Sequence, residues 1–532
     1  GGMMSGTVNV SGTLDASAPN GDNGGFIETS AAHVKITDDV KITTAAPRGN
    51  AGTWLIDPTD FTIAAVDPSN GSSYMSNAVL ENSLNSTDVT IETLSTGTGN
   101  GDIFVNSAVS WAANKLTLSA YRNININADL SASGTAILAL NFGQGSVAAA
   151  NTSQITTTNA AVNLPTGTTN FTTLQGSDGA VKAFTVITSL GAAGSLTATD
   201  LQGMSGSVAT NYVLGSNIDA AATSTWNTNT GFVPIAGFTG TFDGLGHTIS
   251  DLFMSKGATG NIGLIGSTGA GSVIRNVGLV GGSVSGGAST GALVGSNASG
   301  AVYNSYATDI NVTGAAGTGG LVGSNTSGGI ISNSYATGNV SNGAAAGAGG
   351  LVGKNTDGTI SNNYATGNIT GGASSGGLVG TNTTGNISNS YAKGDVVGAA
   401  GTGGLVGSNT TGNISDSYAT GTITNGASAS IGGLMGSGTS GNITNSYATG
   451  NVTGGAGAGG LVGDITTGSI SNSYAFGVVD GGAGTGGLAG TITTGNISNS
   501  YATGSVEGDA GTGGLLGVGT SGIVTNSYAT GL

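Results

Sequence analysis

The sequence predicts an all-β fold, a parallel β-solenoid with coils of about 27 residues in its C-terminal half. Three observations predict it: a recurring phrase, a composition of glycine and small apolar residues, and short β-like pieces separated by turn chemistry. The phrase is clearest at residues 376–394, GGLVGTNTTGNISNSYAKG. Its tyrosines are Tyr306, Tyr335, Tyr364, Tyr391, Tyr418, Tyr447, Tyr474, Tyr501 and Tyr528, always 27 or 29 residues apart. Its leucines keep step at Leu293, Leu321, Leu351, Leu378, Leu405, Leu434, Leu461, Leu488 and Leu515. A worn copy around Leu264 and Val277 brings the array to about ten units.

Each unit holds three short pieces, GGLVG, NISNSYA and GNVTG, with β-branched or aromatic members and Gly, Asn, Thr and Ser between them. Glycine is 103 of 532 residues. At about 1 kcal/mol each, glycines at this frequency exclude a helical reading of the repeats. One such coil cannot bury its apolar side alone, but stacked on copies of itself it forms a narrow continuous core. At roughly 4.8 Å per coil, ten coils span about 48 Å. Like residues then align in columns. Ile360, Ile387, Ile414, Ile443, Ile470 and Ile497 give an aliphatic column, and Asn325, Asn355, Asn382 and Asn409 an amide ladder. The glycines are expected at corners with positive φ. The two-residue length changes are expected to bulge at a corner and leave the strands in register. The nine tyrosines are expected to form a packing ladder, since the alternation Ile387, Asn389, Tyr391 sets Tyr on the side of Ile. The competing reading is an exposed aromatic stripe that stacks on sugar rings.

Upstream, residues 1–200 read as irregular coils made of strands and turns, with alternation at Val34 and Ile36 and at Ile124 and Ile126. Residues 201–255 read as a connecting β module and 256–532 as the repeat solenoid, with one solenoid expected through the whole chain. The opening GGMMSGTVNV has neither a charged start nor an apolar run and begins within an alternation, which reads as a processed piece or fragment. Leu532 follows a full NSYATG phrase directly, so either more chain follows or the ends associate.

The net charge is −16, and only two lysines and no arginine follow Arg275. Binding to a nucleic-acid backbone needs clustered cations, so nucleic acid is excluded as a partner. There is no cysteine and no run of 18 apolar residues, so disulfides and a membrane-spanning helix are not expected. No cofactor or metal is expected either. His33 and His247 lie in unrelated segments, and His247 is expected to cap a turn. GAGGLVGKNT departs from the phosphate-loop pattern at Ala348 and Asn355. The carboxylates Asp309, Asp357, Asp395, Asp416, Asp464, Asp480, Glu507 and Asp509 are isolated and form no acid–base pair. A non-enzymatic protein is therefore expected, with a polysaccharide-active β-helix as the alternative. Pairs such as Asp38-Asp39 read as solvated surface, and the Thr column of the YATG phrase is broken by Lys393 and Phe476, which argues against ice binding.

Residues 24–64 and 97–130 resemble recurrent blocks of large bacterial exoproteins of the filamentous haemagglutinin type, and the GGLVG…NSYATG units resemble the GLUG motif. YVLGSNID and FTGTFDGLGHTIS resemble the segment that often precedes such repeats. The resemblance covers nearly the whole chain. It implies a right-handed parallel β-helix and export through an outer-membrane two-partner secretion transporter. It also implies work at the cell surface as an adhesin or filament that meets a surface glycan or protein. The family's amino-terminal secretion domain is not present in this sequence.

Overall fold

The computed structural model describes residues 5–68, 71–95, 99–426 and 428–531. The opening GGMM and Leu532, on which the reading of the two ends rests, lie outside them. The chain is a nearly all-β solenoid of parallel, stacked strands with few helical turns. Successive coils bring like residues into register, as in Tyr364↔Tyr391 and Ile387↔Ile414.

The first stack holds two seven-stranded sheets. One includes His33–Ile36, Phe61–Ile63, Ile103–Val105 and Ile124–Ile126. The other runs from Phe26–Ser30 to Phe171–Gln175. Val34, Ile36, Ile124 and Ile126 point inward with at most 1% of their surface exposed. The third side is interrupted by a helix, Asn77–Leu84, where the sequence reading expects only strands and turns. Ser76 caps it by accepting from the Val79 amide (3.3 Å), and Val79, Leu80 and Leu84 are buried. The helix fills one coil's place between Lys41–Thr43 and Val109–Trp111. It is tied there by Asn77 Nδ2 to the Ala108 carbonyl (2.9 Å) and by the Ser110 amide to Glu81 (2.8 Å).

The second stack begins at Thr185–Ile187, the edge of a thirteen-stranded sheet that continues through Tyr212–Leu214 and Thr241–Asp243 to Val524–Thr525. This sheet carries the isoleucine column, with Ile331, Ile360, Ile387, Ile414, Ile443, Ile470 and Ile497 each at most 1% exposed. A ten-stranded sheet holds the VGSN pieces, and a twenty-stranded sheet the YA and NVT pieces. The leucine column fills the centre from Leu293 to Leu488, and Leu515 is partly buried. A second, smaller core runs beside it, built from Val340, Ile369, Val396, Ile423, Val452 and Val479 with Ala348, Ile431 and Ala458.

Among the described residues no parallel ladder passes from one stack to the other, so two stacks stand where the sequence reading expects one continuous solenoid. The reason is local. Phe171–Gln175 is covered by the antiparallel strand Lys182–Ala183, which closes the sheet edge. The end of the first stack then lies across the second. The Val162 amide donates to Leu245 (3.0 Å) and the Leu164 amide to Gly215 (3.1 Å). Those two acceptors belong to successive coils, as the pairing Tyr212↔Phe242 shows.

Length changes leave the register intact. The extra residues between Tyr335 and Tyr364 fall in the corner 342–347, and the tyrosines still pair directly. Positive φ explains only some glycines. Gly401 takes a left-handed corner (φ 72°), but Ser374 and Ser430 take the equivalent corner (φ 57°). Gly377 is needed for close approach instead. A Cβ there would lie 2.1 Å from the Gly404 carbonyl oxygen of the next coil and 2.8 Å from Ala392 Cβ.

Candidate functional site

The candidate surface is the face that carries the tyrosines. Simple alternation sets Tyr391 beside Ile387, but the structure turns it outward. Asn389 sits between them in the left-handed conformation (φ 48°), as do Asn333, Asn362, Asp416, Asn445, Asn472, Asn499 and Asn526 in their coils. That residue breaks the two-residue period, so Ser390 and Ala392 point inward and Tyr391 outward. Asparagine and aspartate tolerate this conformation better than other non-glycine residues, which explains their place in the phrase.

The turn withdraws a backbone acceptor, and a buried side chain replaces it. The Asn363 amide donates to Ser390 Oγ (3.1 Å) and the Ser390 amide to Ser417 Oγ (3.2 Å). Ser390 Oγ itself donates to the Ser388 carbonyl (2.7 Å). The relay repeats from Ser305 to Ser527, with Asn363 replacing serine once.

The nine tyrosines form one column of stacked rings. Eight consecutive pairs have centroids 4.6–5.3 Å apart and planes within 12° of parallel. Eight rings are half-buried, and Tyr528 is exposed. Burial, followed by the neighbouring phenols, raises the hydroxyl pKa of Tyr335, Tyr364, Tyr418 and Tyr501. The ring faces are occupied by one another, so the column offers solvent its edges and hydroxyls. Sugar stacking needs a free ring face, which interior members of the column do not present. Lys393 lies 5.1 Å from the Tyr391 ring centroid, and Phe476 leans on Tyr474 and Tyr501 at 59° and 69°.

The ten-stranded sheet carries the amide ladder, which begins one coil earlier, at Asn297, than the sequence reading expects. Asn297, Asn325, Asn355 and Asn382 each donate Nδ2 to the next Oδ1 at 2.7–2.8 Å, ending on Asn409. Each of the five also donates to a nearby glycine carbonyl, as Asn382 does to Gly385 (2.6 Å). Thr268 heads the chain by donating to Asn297 (2.8 Å). Beyond Asn409 the positions become Gly438, Ile465 and Ile492, and Met435 packs its terminal methyl into the space beside Gly438.

The remaining candidates are structural. His247 is buried between the stacks, with Nε2 3.0 Å from the Val162 carbonyl and Nδ1 3.3 Å from Asn217 Oδ1. Burial lowers its pKa, against the pull of that carbonyl and of Asp129. His33 lies far off in the first stack, exposed at the start of the strand His33–Ile36. Lys354 occupies the outward column position of Ser324 and Thr381. Asp395 accepts the Thr422 amide of the next coil (2.8 Å), so this carboxylate holds backbone. Asp39 accepts from Thr37 at an exposed turn. Where the stacks meet, Asp129, Gln154, Thr156, His247, Asn276 and Tyr306 line a polar groove at the head of the tyrosine column. No short motif announces that groove, because its walls are 85 or more residues apart in sequence, as Val162 and His247 are.

Three segments, residues 314–341, 371–397 and 398–424, match the family described as the GLUG motif. The repeats carry GLUG units. The chain is also similar to halomucin of Haloquadratum walsbyi (strain DSM 16790 / HBSQ001), with 47% identity over 106 residues. That match covers 19% of this chain and 1% of halomucin, so the chain spans a very small part of that relative's length. In structural terms a GLUG unit is one coil: a glycine pair that lets coils approach, a leucine in the core, a left-handed asparagine, and an outward tyrosine.

Proposed function

We propose that this chain is a rigid shaft of an extracellular bacterial surface protein, an adhesin or fibre that acts through a long repetitive face. The single observation that carries the reading is the column itself: nine coils present the same tyrosine at the same place, one coil apart. A repetitive face suits multivalent contact, in which many weak encounters add up. The similarity to halomucin and the GLUG units support an extracellular setting. The likeness of residues 24–64 and 97–130 to filamentous haemagglutinin-type exoproteins supports export by a two-partner transporter. No chemical reaction is part of this reading.

The stacking of the tyrosines favours a second version, a fibre that keeps its distance and stiffness without a sugar-stacking receptor site. Surface labelling of intact producing cells, paired with adherence of a strain that lacks the chain, separates the two. Surface signal with lost adherence supports the adhesin. Surface signal with unchanged adherence supports the fibre. Absence of surface signal overturns both.

A further inference from the structure

We infer that the tyrosine column is a site of oxidative crosslinking, at which adjacent rings couple into dityrosine and staple successive coils together. The co-reactant is a haem-peroxidase-class oxidant supplied with hydrogen peroxide.

Four observations carry this. The rings of eight successive pairs lie 4.6–5.3 Å apart, in contact and nearly parallel. The column faces outward and is half-open along its length, so an oxidant reaches the phenol ends. The chain has no cysteine to intercept the oxidant or to form a disulfide staple. Most competing side chains are shielded: Trp54, Trp111, Met75, Met204, Met254 and Met435 are at most 4% exposed, and Trp226 alone among the described Trp and Met residues is half-buried.

The chemistry balances. Each of two phenols loses one electron and one proton. The two phenoxyl radicals join through the ring carbons beside their hydroxyls, and both rings regain aromaticity by releasing those carbons' hydrogens to the phenoxyl oxygens. The two electrons and two protons reduce one hydrogen peroxide to two waters. Contact along the column means that a radical formed on any ring passes to its neighbours until it meets a second one. Bonding requires the two rings to twist out of their stack. Their outward position allows this, since the rings stand half-buried at the surface while Ala392 and its equivalents are buried in the core. Each link would close a loop of 27 or 29 residues, a constraint that acts mainly on the unfolded chain. Phe476 covers the pair Tyr474–Tyr501, which is expected to couple least.

The test treats dilute purified chain with a haem peroxidase and hydrogen peroxide. It reads blue dityrosine emission, intact mass, and the linked peptides. The expected result is a monomer that has lost two hydrogens per link, with links only between neighbours such as Tyr364 and Tyr391, and a raised denaturation midpoint. A variant with Tyr335→Phe, Tyr391→Phe, Tyr447→Phe and Tyr501→Phe keeps the stack, but leaves no tyrosine of the column beside another. Its intramolecular yield is expected to fall to that given by Tyr74, Tyr121, Tyr212 and Tyr303. If this variant does not fold, Tyr391→Phe alone is expected to abolish the two links that involve position 391 and spare the rest. Links only between separate chains, an unchanged yield in the alternating variant, or oxidation confined to Trp and Met would each overturn the inference.

Discussion

Replacing Asn382 by alanine removes one rung from the middle of the amide ladder. The side chain accepts from Asn355 (2.7 Å) and donates to Asn409 (2.7 Å) and to the Gly385 carbonyl (2.6 Å). All three asparagines are at most 1% exposed. Asn382→Ala therefore orphans one donor and two acceptors that water does not reach. At the lower end of the usual penalty, about 1–2 kcal/mol per unsatisfied group, the loss over three groups is roughly 3–6 kcal/mol. A repeat array need not unfold in one step, so a global midpoint is a poor readout. Amide hydrogen exchange across residues 353–412 reads the opening of the affected coils directly. The expected effect is exchange faster by about a hundredfold or more in the coils of Asn355, Asn382 and Asn409, with the first stack unchanged. Replacing all five ladder asparagines by isoleucine, as the chain itself does at Ile465 and Ile492, should cost less per rung, because the amide donors and acceptors leave together and only the glycine carbonyls and Thr268 lose a partner. Acceleration below tenfold in Asn382→Ala, or an equal penalty per rung in the five-fold variant, would refute the reasoning.

Gly377→Ala sets a methyl 2.1 Å from the Gly404 carbonyl oxygen, against backbone that cannot step aside, and should cost at least about 1–3 kcal/mol, read as exchange in the coils on either side. Ser390→Ala strands the buried Asn363 amide and should cost about 1–2 kcal/mol, whereas Ser390→Thr should recover part of it. The Asp57 carboxyl is pushed up to about 6, first by burial and then by Glu92 and Glu28. With a raised folded value, the protonated form stabilises the fold fully below the ordinary value near 3.8, and that contribution is lost as pH rises through about 6. Asp57→Asn should remove this dependence and stabilise the first stack at neutral pH by up to about 1–2 kcal/mol after allowance for its half-open position, measured as unfolding midpoints against pH. His247 acts oppositely. Its folded pKa is lowered, so its contribution is present above the ordinary value near 6.5 and lost as pH falls, and the joint between the stacks should loosen in acid. Exchange at Val162 and Leu164 checks this, and His247→Gln should flatten the response.

The inward columns were legible because they depend only on repeat length and residue type. Ile387 and its copies, the leucines and the asparagine ladder follow once like is stacked on like. The outward turn of Tyr391 was not, because one left-handed residue, Asn389, cancels the alternation and its φ leaves no periodic mark. The helix Asn77–Leu84 escaped because eight residues with an irregular apolar pattern carry a weak helical signal, although Ser76 is a good cap. Asn297 carries the same signal as Asn325, since GALVGSN at 291–297 repeats GGLVGSN at 319–325, and the ladder was legible to its first rung. The side-on meeting of the stacks depends on contacts such as His247 with Val162, which no local pattern encodes. Residue type alone points every glycine to a corner, whereas Gly377 serves the distance between coils.

The abrupt end of the amide ladder at Gly438 has a consequence for how the chain finds its own order. Coils that are nearly identical lack addresses: a segment docked one repeat too far along would still find leucine on leucine and tyrosine on tyrosine. The irregular units supply the missing addresses. Slipping Asn409 onto the apolar column of Ile465 would bury an amide against a side chain that cannot answer it, and slipping the corner 342–347 would set a long turn against a short one. Imperfect copies thus work as index marks along a ruler, and an idealised array made only of the commonest unit should fold into more than one length.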